Sequence, residues 1–275
     1  MQLALLRHPG FGLRAGEAVP SPVLRFLADQ VHAPVTAFAD YARRNQTRLE
    51  HAGKLQQRLG LRPFARADIR HAVESAAEAA WSTDKGGPIA EALMAGLRDR
   101  RIVLPSPDTL ERVGLAGRAR ARRRAAEDLL ARVSSEQLAH VDKLLVNDPD
   151  LKMTLLAWLR DIPESPSAAG MAAITDRLAY VRAIGIDPAI VAAIHARRFD
   201  QYAREGAVAP AFLLSGYSVR RRRATVVAQL VDLECRLNDA AVDMFNKMVG
   251  SQPSPWPAPK GVSSAPRPHS VQEHE

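Results

Sequence analysis

Cys235 is the lone cysteine of this 275-residue chain, so no disulfide can form within it and a small cross-linked secreted scaffold is excluded. Aromatic residues make up only 5% of the sequence. Alternating Val/Ile/Thr runs and Asn-Gly hairpin signals are also missing, which excludes a β-rich fold. No apolar run approaches the roughly 20 residues of a membrane span, and the opening apolar stretch is too short for a signal peptide. These absences predict a soluble, cytoplasmic protein with no membrane partner. The eight histidines are scattered, with no HExxH and no Cys/His spacing, so no metal site is expected. Phosphate-binding glycine loops and a GxSxG elbow are lacking as well. Asp142, Asp148, Asp150 and Asp161 read as solvent-facing or capping acids. The chain is therefore expected to hold no cofactor and to catalyse nothing.

What is abundant is alanine, leucine and arginine, a composition that favours helix. The predicted class is all-α. The formal charge of +8 is not evenly spread: residues 1–133 carry 22 basic and 14 acidic side chains, whereas residues 134–250 carry 14 of each. A basic half joined to a neutral half suggests a polyanion-facing part attached to a scaffold.

Leu24–Arg44 reads as two helices around a tight corner. Leu24, Leu27, Ala28 and Val31 have the spacing of one buried helical face. His32-Ala33-Pro34 stops that helix, because a residue preceding proline is driven out of the helical region. Pro34 suits the start of the next helix, with Phe38 and Tyr41 filling the angle. This is the packing logic of a helix-turn-helix, with His32 standing where glycine is usual; an ordinary αα-corner has the same pattern. Asn45–Leu59 reads as a third helix, with Leu49, Leu55 and Leu59 inward and Arg43, Arg44, Arg48, Lys54 and Arg58 outward. Residues 1–65 thus form a first helical DNA-binding module.

A second unit, residues 66–133, repeats the pattern. Ala67–Trp81 is helical, Asp84-Lys85-Gly86-Gly87-Pro88 breaks the chain, and a helix follows to Arg100 with Ile89, Leu93 and Leu97 on one face. After a connector, Ser106 is a natural N-cap and Pro107 a natural first-turn residue. Leu110, Val113 and Leu115 supply the apolar side. The helix then enters a run of five arginines in seven residues, Arg118 to Arg124, spaced only by alanine, so little of that turn is expected to be buried. With Arg100, Arg101 and Arg112 beside the corner, the run predicts contact with DNA; a merely solvated face is the alternative.

Residues 134–250 read as a helical scaffold or dimerisation region. Ser134 to Gln137 has the pattern of a capping box, Trp158 is expected in the core, and Met171–Ile184 and Pro188–Ala207 are helical. The longest helix, Ser218–Met248, carries Val226, Leu230, Leu233, Leu237, Ala240, Met244 and Met248 in a heptad-like seam. That seam packs either into its own domain or into a homodimer. Cys235 reads as a small core residue of the same helix. Residues 251–275, rich in proline and serine, are expected to be disordered.

Several phrases in order resemble one family. They are QLALLRHPGFGL, LADQV with FADYARRNQTRLEH, LGLRPF, RRIVLPSPDTLERV, WLRDIPESPSA, DRLAYVRAIGI and RRRRATVVAQLVDLECRLNDAAVDMFNKMVG. Together they are similar to the N-terminal part of the replicative transposases of the Tn-three family (class II transposons). The resemblance implies all-α modules that bind the terminal inverted repeats of a transposon. In the family a dimerisation region follows, then a ribonuclease-H-like domain with two aspartates, a glutamate and magnesium. It spans residues 2–250 and departs at Ser251, which implies a fragment lacking the catalytic acids. The apolar opening residues likewise read as the middle of a helix. Within TRLEH, Arg48 is the residue expected to touch DNA, with Glu50 orienting it or another arginine. The expected function is end recognition on double-stranded DNA. Thr36, Asp40, Asp108 and Thr109 sit at recognition-helix starts, and Arg43, Arg44, Arg48, Arg100, Arg101, Arg112, Arg118, Arg120, Arg122 and Arg123 supply the cationic surface. The alternative is a helical dimerisation scaffold whose basic face only confers solubility.

Overall fold

The computed structural model describes residues 1–13, 19–41 and 45–250. The architecture is all-α: among the described residues the strand content is one ladder of two-residue strands, β1 (Asn147–Asp148) and β2 (Met153–Thr154). The expectations placed on Arg43, Arg44 and the tail 251–275 lie outside the described residues.

The first part consists of α1 (Gln2–Arg7), α2 (Ser21–Gln30), α3 (Ala37–Asp40) and α4 (Asn45–Leu59). Ala28 is buried on α2, while Val31, counted above on the buried face, is its C-cap and 69% exposed. His32 takes the left-handed conformation, φ +51, so the chain turns there as it would at a C-terminal glycine. The second helix of the corner is shorter than expected. It is the single turn α3, because Tyr41 returns to extended backbone.

On α4, Leu49 is 67% exposed rather than inward. Six residues turn a helix through about 240° relative to Leu55, whereas Arg48, seven residues from Leu55, shares its face. Arg48 is accordingly half-buried, and its carbonyl accepts the Gln2 side-chain amide at 3.2 Å.

The next layer contains α5 (Ile69–Ala79), α6 (Gly86–Asp99) and α7 (Pro107–Leu130). Ile89, Leu93 and Leu97 are buried in register on α6. Ser106 caps α7 by accepting the Thr109 amide at 3.2 Å. Phe11 bridges Leu104 and Arg62 bridges Ile102, and Arg98 Nε donates to the Pro9 carbonyl at 2.7 Å. The chain near residue 10, that near residue 62 and the α6–α7 connector are thus joined through their backbones.

The helix α7 departs most from expectation. Gly117, Ala121, Ala125 and Ala126 are buried among the arginines. A Cβ on Gly117 would stand 2.4 Å from Ala76 Cβ and 2.8 Å from the Ala76 backbone, so α5 and α7 cross at near-contact of their main chains. Small residues permit that approach where longer ones would hold the helices apart. Leu115, read as apolar filling, lies 46% exposed.

The remaining elements are α8 (Ser135–Lys143), α9 (Leu155–Arg160), α10 (Ala168–Ile184), α11 (Ala196–Val208), α12 (Ala211–Ser215) and α13 (Val219–Gly250). The capping box forms at Ser134 and Gln137. Residues 188–207 are not one helix: a 3-10 segment, Pro188–Ala193, ends in extended backbone at Ile194 before α11. On α13, Val226, Leu230, Leu233, Leu237 and Met244 are all at most 3% exposed. The expected seam therefore packs into its own fold, where each large side chain contributes about 1.5–3 kcal/mol by leaving water. Cys235 is exposed, not a core residue; it sits about 200° round the helix from both Leu233 and Leu237. Trp158 is half-buried, edge-on to Tyr180 with ring centres 5.9 Å apart and with the Arg177 guanidinium 4.7 Å above it.

Candidate nucleic-acid interface

The site is built from surface cations, so the first question is what each cation already holds. On the α2–α3 corner, Thr36 is exposed at the start of α3. Phe38 and Tyr41 stack at 6.1 Å, and the Tyr41 hydroxyl lies 3.1 Å from His51 Nδ1. The ring pair thus ties α3 to α4. Of the phrase TRLEH, Glu50 accepts a hydrogen bond from Gln46 at 3.1 Å, and Arg48 turns partly inward. Around this corner Phe26, Val31, Val35 and Leu49 remain exposed at 63%, 69%, 41% and 67%.

At the second corner Arg100 and Arg101 are exposed between α6 and α7. Arg101 adopts φ +57, and its carbonyl accepts the Arg62 amide at 2.9 Å. Arg62 itself is committed: it forks onto buried Asp68 at 2.8 and 2.7 Å. That hydrogen bonding holds the Asp68 carboxyl well down, at about 2. Arg112 is exposed one turn into α7, with no ion pair among the described residues.

The arginine run divides. Arg120 meets Glu74 of α5 at 3.2 Å with both side chains half exposed. Arg124 reaches Glu78 at 3.5 Å and Asp128 at 3.7 Å, and lies 4.9 Å over Trp81. Arg118 donates to the Asp84 carbonyl at 3.4 Å. Arg122 is taken deepest: its Nη2 meets Asp84 Oδ2 at 2.7 Å, and its Nε lies 3.1–3.2 Å from both carboxylate oxygens. Only Arg123 of this run is exposed without an ion pair among the described residues. The run is thus not a continuous free track. Arg112 and Arg123 do share the outward face of α7, since eleven residues are about three turns, or roughly 16 Å along the axis.

Asp84 is the acid that sequence reasoning missed, having been read as part of a turn. Besides Arg122 it receives Arg198 Nη1 at 2.7 Å and the Gln201 amide. Arg198 is 1% exposed and also donates to the Ala80 and Thr83 carbonyls. Burial pushes the Asp84 carboxyl up, but the hydrogen bonds from Arg122, Arg198 and Gln201 together outweigh it and hold it at about 2. The second basic run, at the start of α13, is paired in the same way. Arg220 meets Glu127 at 3.1 Å, Arg221 meets Glu205, and Arg223 with Arg222 meets Asp142 at 2.6 and 3.4 Å. Asp142, read as a solvent or capping acid, is therefore an ion-pair partner.

Among the described residues no three His, Cys, Asp or Glu side chains are grouped to hold a metal ion, and no helix is long and apolar enough to cross a membrane. A family model described as a domain of unknown function, DUF4158, matches residues 1–116. The chain is 34% identical over 250 residues to the transposase for transposon Tn3926 of Escherichia coli, covering 91% of this chain and 25% of that protein. It is 33% identical over 250 residues to the transposase for transposon Tn21 of Escherichia coli, with the same coverage. A third relative, the transposase for transposon Tn501 of Pseudomonas aeruginosa, is 31% identical over 249 residues, 90% of this chain and 25% of that one. The chain spans about a quarter of the length of these relatives.

Proposed function

Because the chain is homologous over nine-tenths of its length to Tn-three-family transposases, we propose that it is the part that recognises a transposon's terminal inverted repeats on double-stranded DNA. The observation that carries this reading is the outward face of α7. A well-capped helix presents Arg112 and Arg123 about three turns apart with no carboxylate on either among the described residues, and Arg100 and Arg101 are exposed in the connector that precedes it. Phosphates would be met by these arginines, by Arg43, Arg44 and Arg48, and by Arg118 and Arg120 after release from weak surface partners. Thr36, Asp108 and Thr109 are placed at helix starts where base edges are read. Arg122 is assigned to holding the fold through Asp84. Residues 1–65 and 66–133 act as the two DNA-facing modules, joined by the pairing of residues 10, 62 and 101–104, with residues 134–250 as their support. Strand transfer is not part of the role proposed for this chain. The protein works in the bacterial cytoplasm, at the nucleoid when bound.

The test is fluorescence anisotropy on the transposon's own terminal repeat against a scrambled duplex. Neutralising about six phosphates gives a log–log salt slope of about −5. Tighter binding to the repeat is expected, and equal weak binding to both duplexes refutes end recognition. A second reading, a homodimerising scaffold, draws on the far end of α13. Val242, Phe245 and Val249 are 59%, 59% and 55% exposed at i, i+3 and i+7, the spacing of a coiled-coil seam. A concentration-dependent dimer indifferent to DNA would favour that reading.

A further inference from the structure

Where α7, α11 and the start of α13 meet, a groove of about 280 Å³ is lined by Arg122, Arg123, Arg198, Ser218, Arg220 and Arg221. The alanine at position 119 leaves its α7 wall low. Five guanidiniums converge there, and the carboxylates that pair with them among the described residues are Asp84, Glu127 and Glu205. The groove thus keeps about two positive charges in excess. Arg123 and Arg220 stand at its rim as exposed cations. Arg198 lies at its base, 1% exposed, with Nε buried and unpartnered. Arg221 is steadied by its stacking 3.9 Å over Tyr217, so its guanidinium is presented with little rotamer freedom to lose.

Convergent guanidiniums and a hydroxyl form a donor set for a tetrahedral oxyanion, and an acidic peptide would offer planar carboxylates instead. We propose that this groove takes a phosphodiester of the DNA backbone, so that the first turn of α13 clamps the duplex that α7 meets. The placement fits, since Arg123 belongs both to the outward face of α7 and to the groove rim. A strand following Arg112 and Arg123 is led to Arg220 and Ser218. The proposal rests on the DNA-binding reading above and extends it into the half of the chain whose charges balance.

The full chain is titrated into labelled terminal-repeat duplex from about 50 to about 200 mM salt. Three proteins are compared with the unaltered one: Arg123→Gln with Arg220→Gln, Ala119→Glu, and Glu205→Gln. Ala119→Glu places a carboxylate in the groove and removes no existing ion-pair partner, so it remains informative if the arginine variant loses stability; urea curves check both. The arginine variant and Ala119→Glu are expected to weaken binding about tenfold and to flatten the salt slope by about 0.9 per lost phosphate contact. Glu205→Gln is expected to tighten binding. If the unaltered chain binds the repeat and all three variants match it in affinity and slope, the clamp is overturned while repeat recognition stands. If the unaltered chain binds no duplex, both fall. A mononucleotide or inorganic phosphate that displaces the duplex at micromolar concentration would assign the groove to a free ligand and likewise overturn the clamp.

Discussion

Asp84→Asn tests whether the loop between α5 and α6 holds the two halves of the molecule together. The carboxylate accepts from Arg122 at 2.7 Å, from Arg198 at 2.7 Å and from the Gln201 amide. Its side chain is 15% exposed and that of Arg198 is 1% exposed. Removing one partner of a buried pair leaves the other charge uncompensated, which costs about 3–5 kcal/mol. The matched surface change, Glu74→Gln, breaks a pair in which both members are half exposed and should cost at most about 1 kcal/mol. Urea unfolding followed by circular dichroism at neutral pH measures both. Acid adds an independent check. The Asp84 carboxyl is held at about 2 in the fold, against about 3.9 in an unfolded chain. Below its ordinary value the unfolded state takes up the proton first, so this stabilisation is complete above about pH 4 and is lost as pH falls toward 2. The gap between the unaltered protein and Asp84→Asn should narrow across that window. A variant within about 1 kcal/mol of the original, or a gap unchanged between pH 4 and pH 2, refutes the hub.

Gly117→Ala should destabilise by about 2–3 kcal/mol, because its Cβ would meet Ala76 at 2.4 Å and backbone at 2.8 Å; pairing it with Ala76→Gly should restore only part in the same urea assay. His32→Gly removes a side chain from φ +51 and should stabilise the α2–α3 corner by up to about 1 kcal/mol, net of glycine's entropy, read as slower amide exchange in residues 31–33. If α13 pairs in parallel with a second copy along Val242, Phe245 and Val249, exposed Cys235 lies seven residues before Val242 on that seam. Mild oxidation should then give a disulfide-linked dimer, whereas monomer at all concentrations refutes the pairing. Glu74→Gln should tighten duplex binding severalfold by freeing Arg120, with unaltered affinity counting against Arg120 as a phosphate contact.

The parts of the fold legible in the sequence are those settled within one turn of chain. Ser106 before Pro107, and Ser134 with Gln137, announce helix starts because the capping partner lies three residues away, and both caps form. The all-α class followed from composition and period in the same way. What was not legible depends on a distant partner. Alanine between arginines carries no apolar signal of its own, and Ala121 is buried because the end of α5 brings Ala76, Ala77 and Ala80 against it, while Ala125 joins the larger core beyond. Leu49 was counted inward on hydrophobicity alone, although the seven-residue interval puts Arg48 on the face of Leu55. Asp84 sits in a glycine-rich turn, and only the arrival of Arg198 from 114 residues away makes it an ion-pair hub. The split of the arginine run could not be read from spacing either, because Glu74, Glu78 and Asp84 come from other elements.

That split determines what the positive surplus of the first half can do. A count of charges treats every arginine alike, but a duplex competes with whatever each guanidinium already holds. Pairs such as Arg120–Glu74 and Arg220–Glu127, at 3.2 and 3.1 Å with all four side chains about half exposed, are worth at most about 1 kcal/mol, less than a charge-assisted bond to phosphate returns. Such surface pairs can therefore be exchanged at little cost. Arg122 is not exchangeable, since lifting it from Asp84 leaves a partly buried carboxylate to Arg198 and Gln201 alone. The run therefore divides at one helical spacing. The face of Arg122 closes the molecule and the face of Arg123 stays exposed with no ion pair among the described residues, and the i to i+1 step of about 100° separates them.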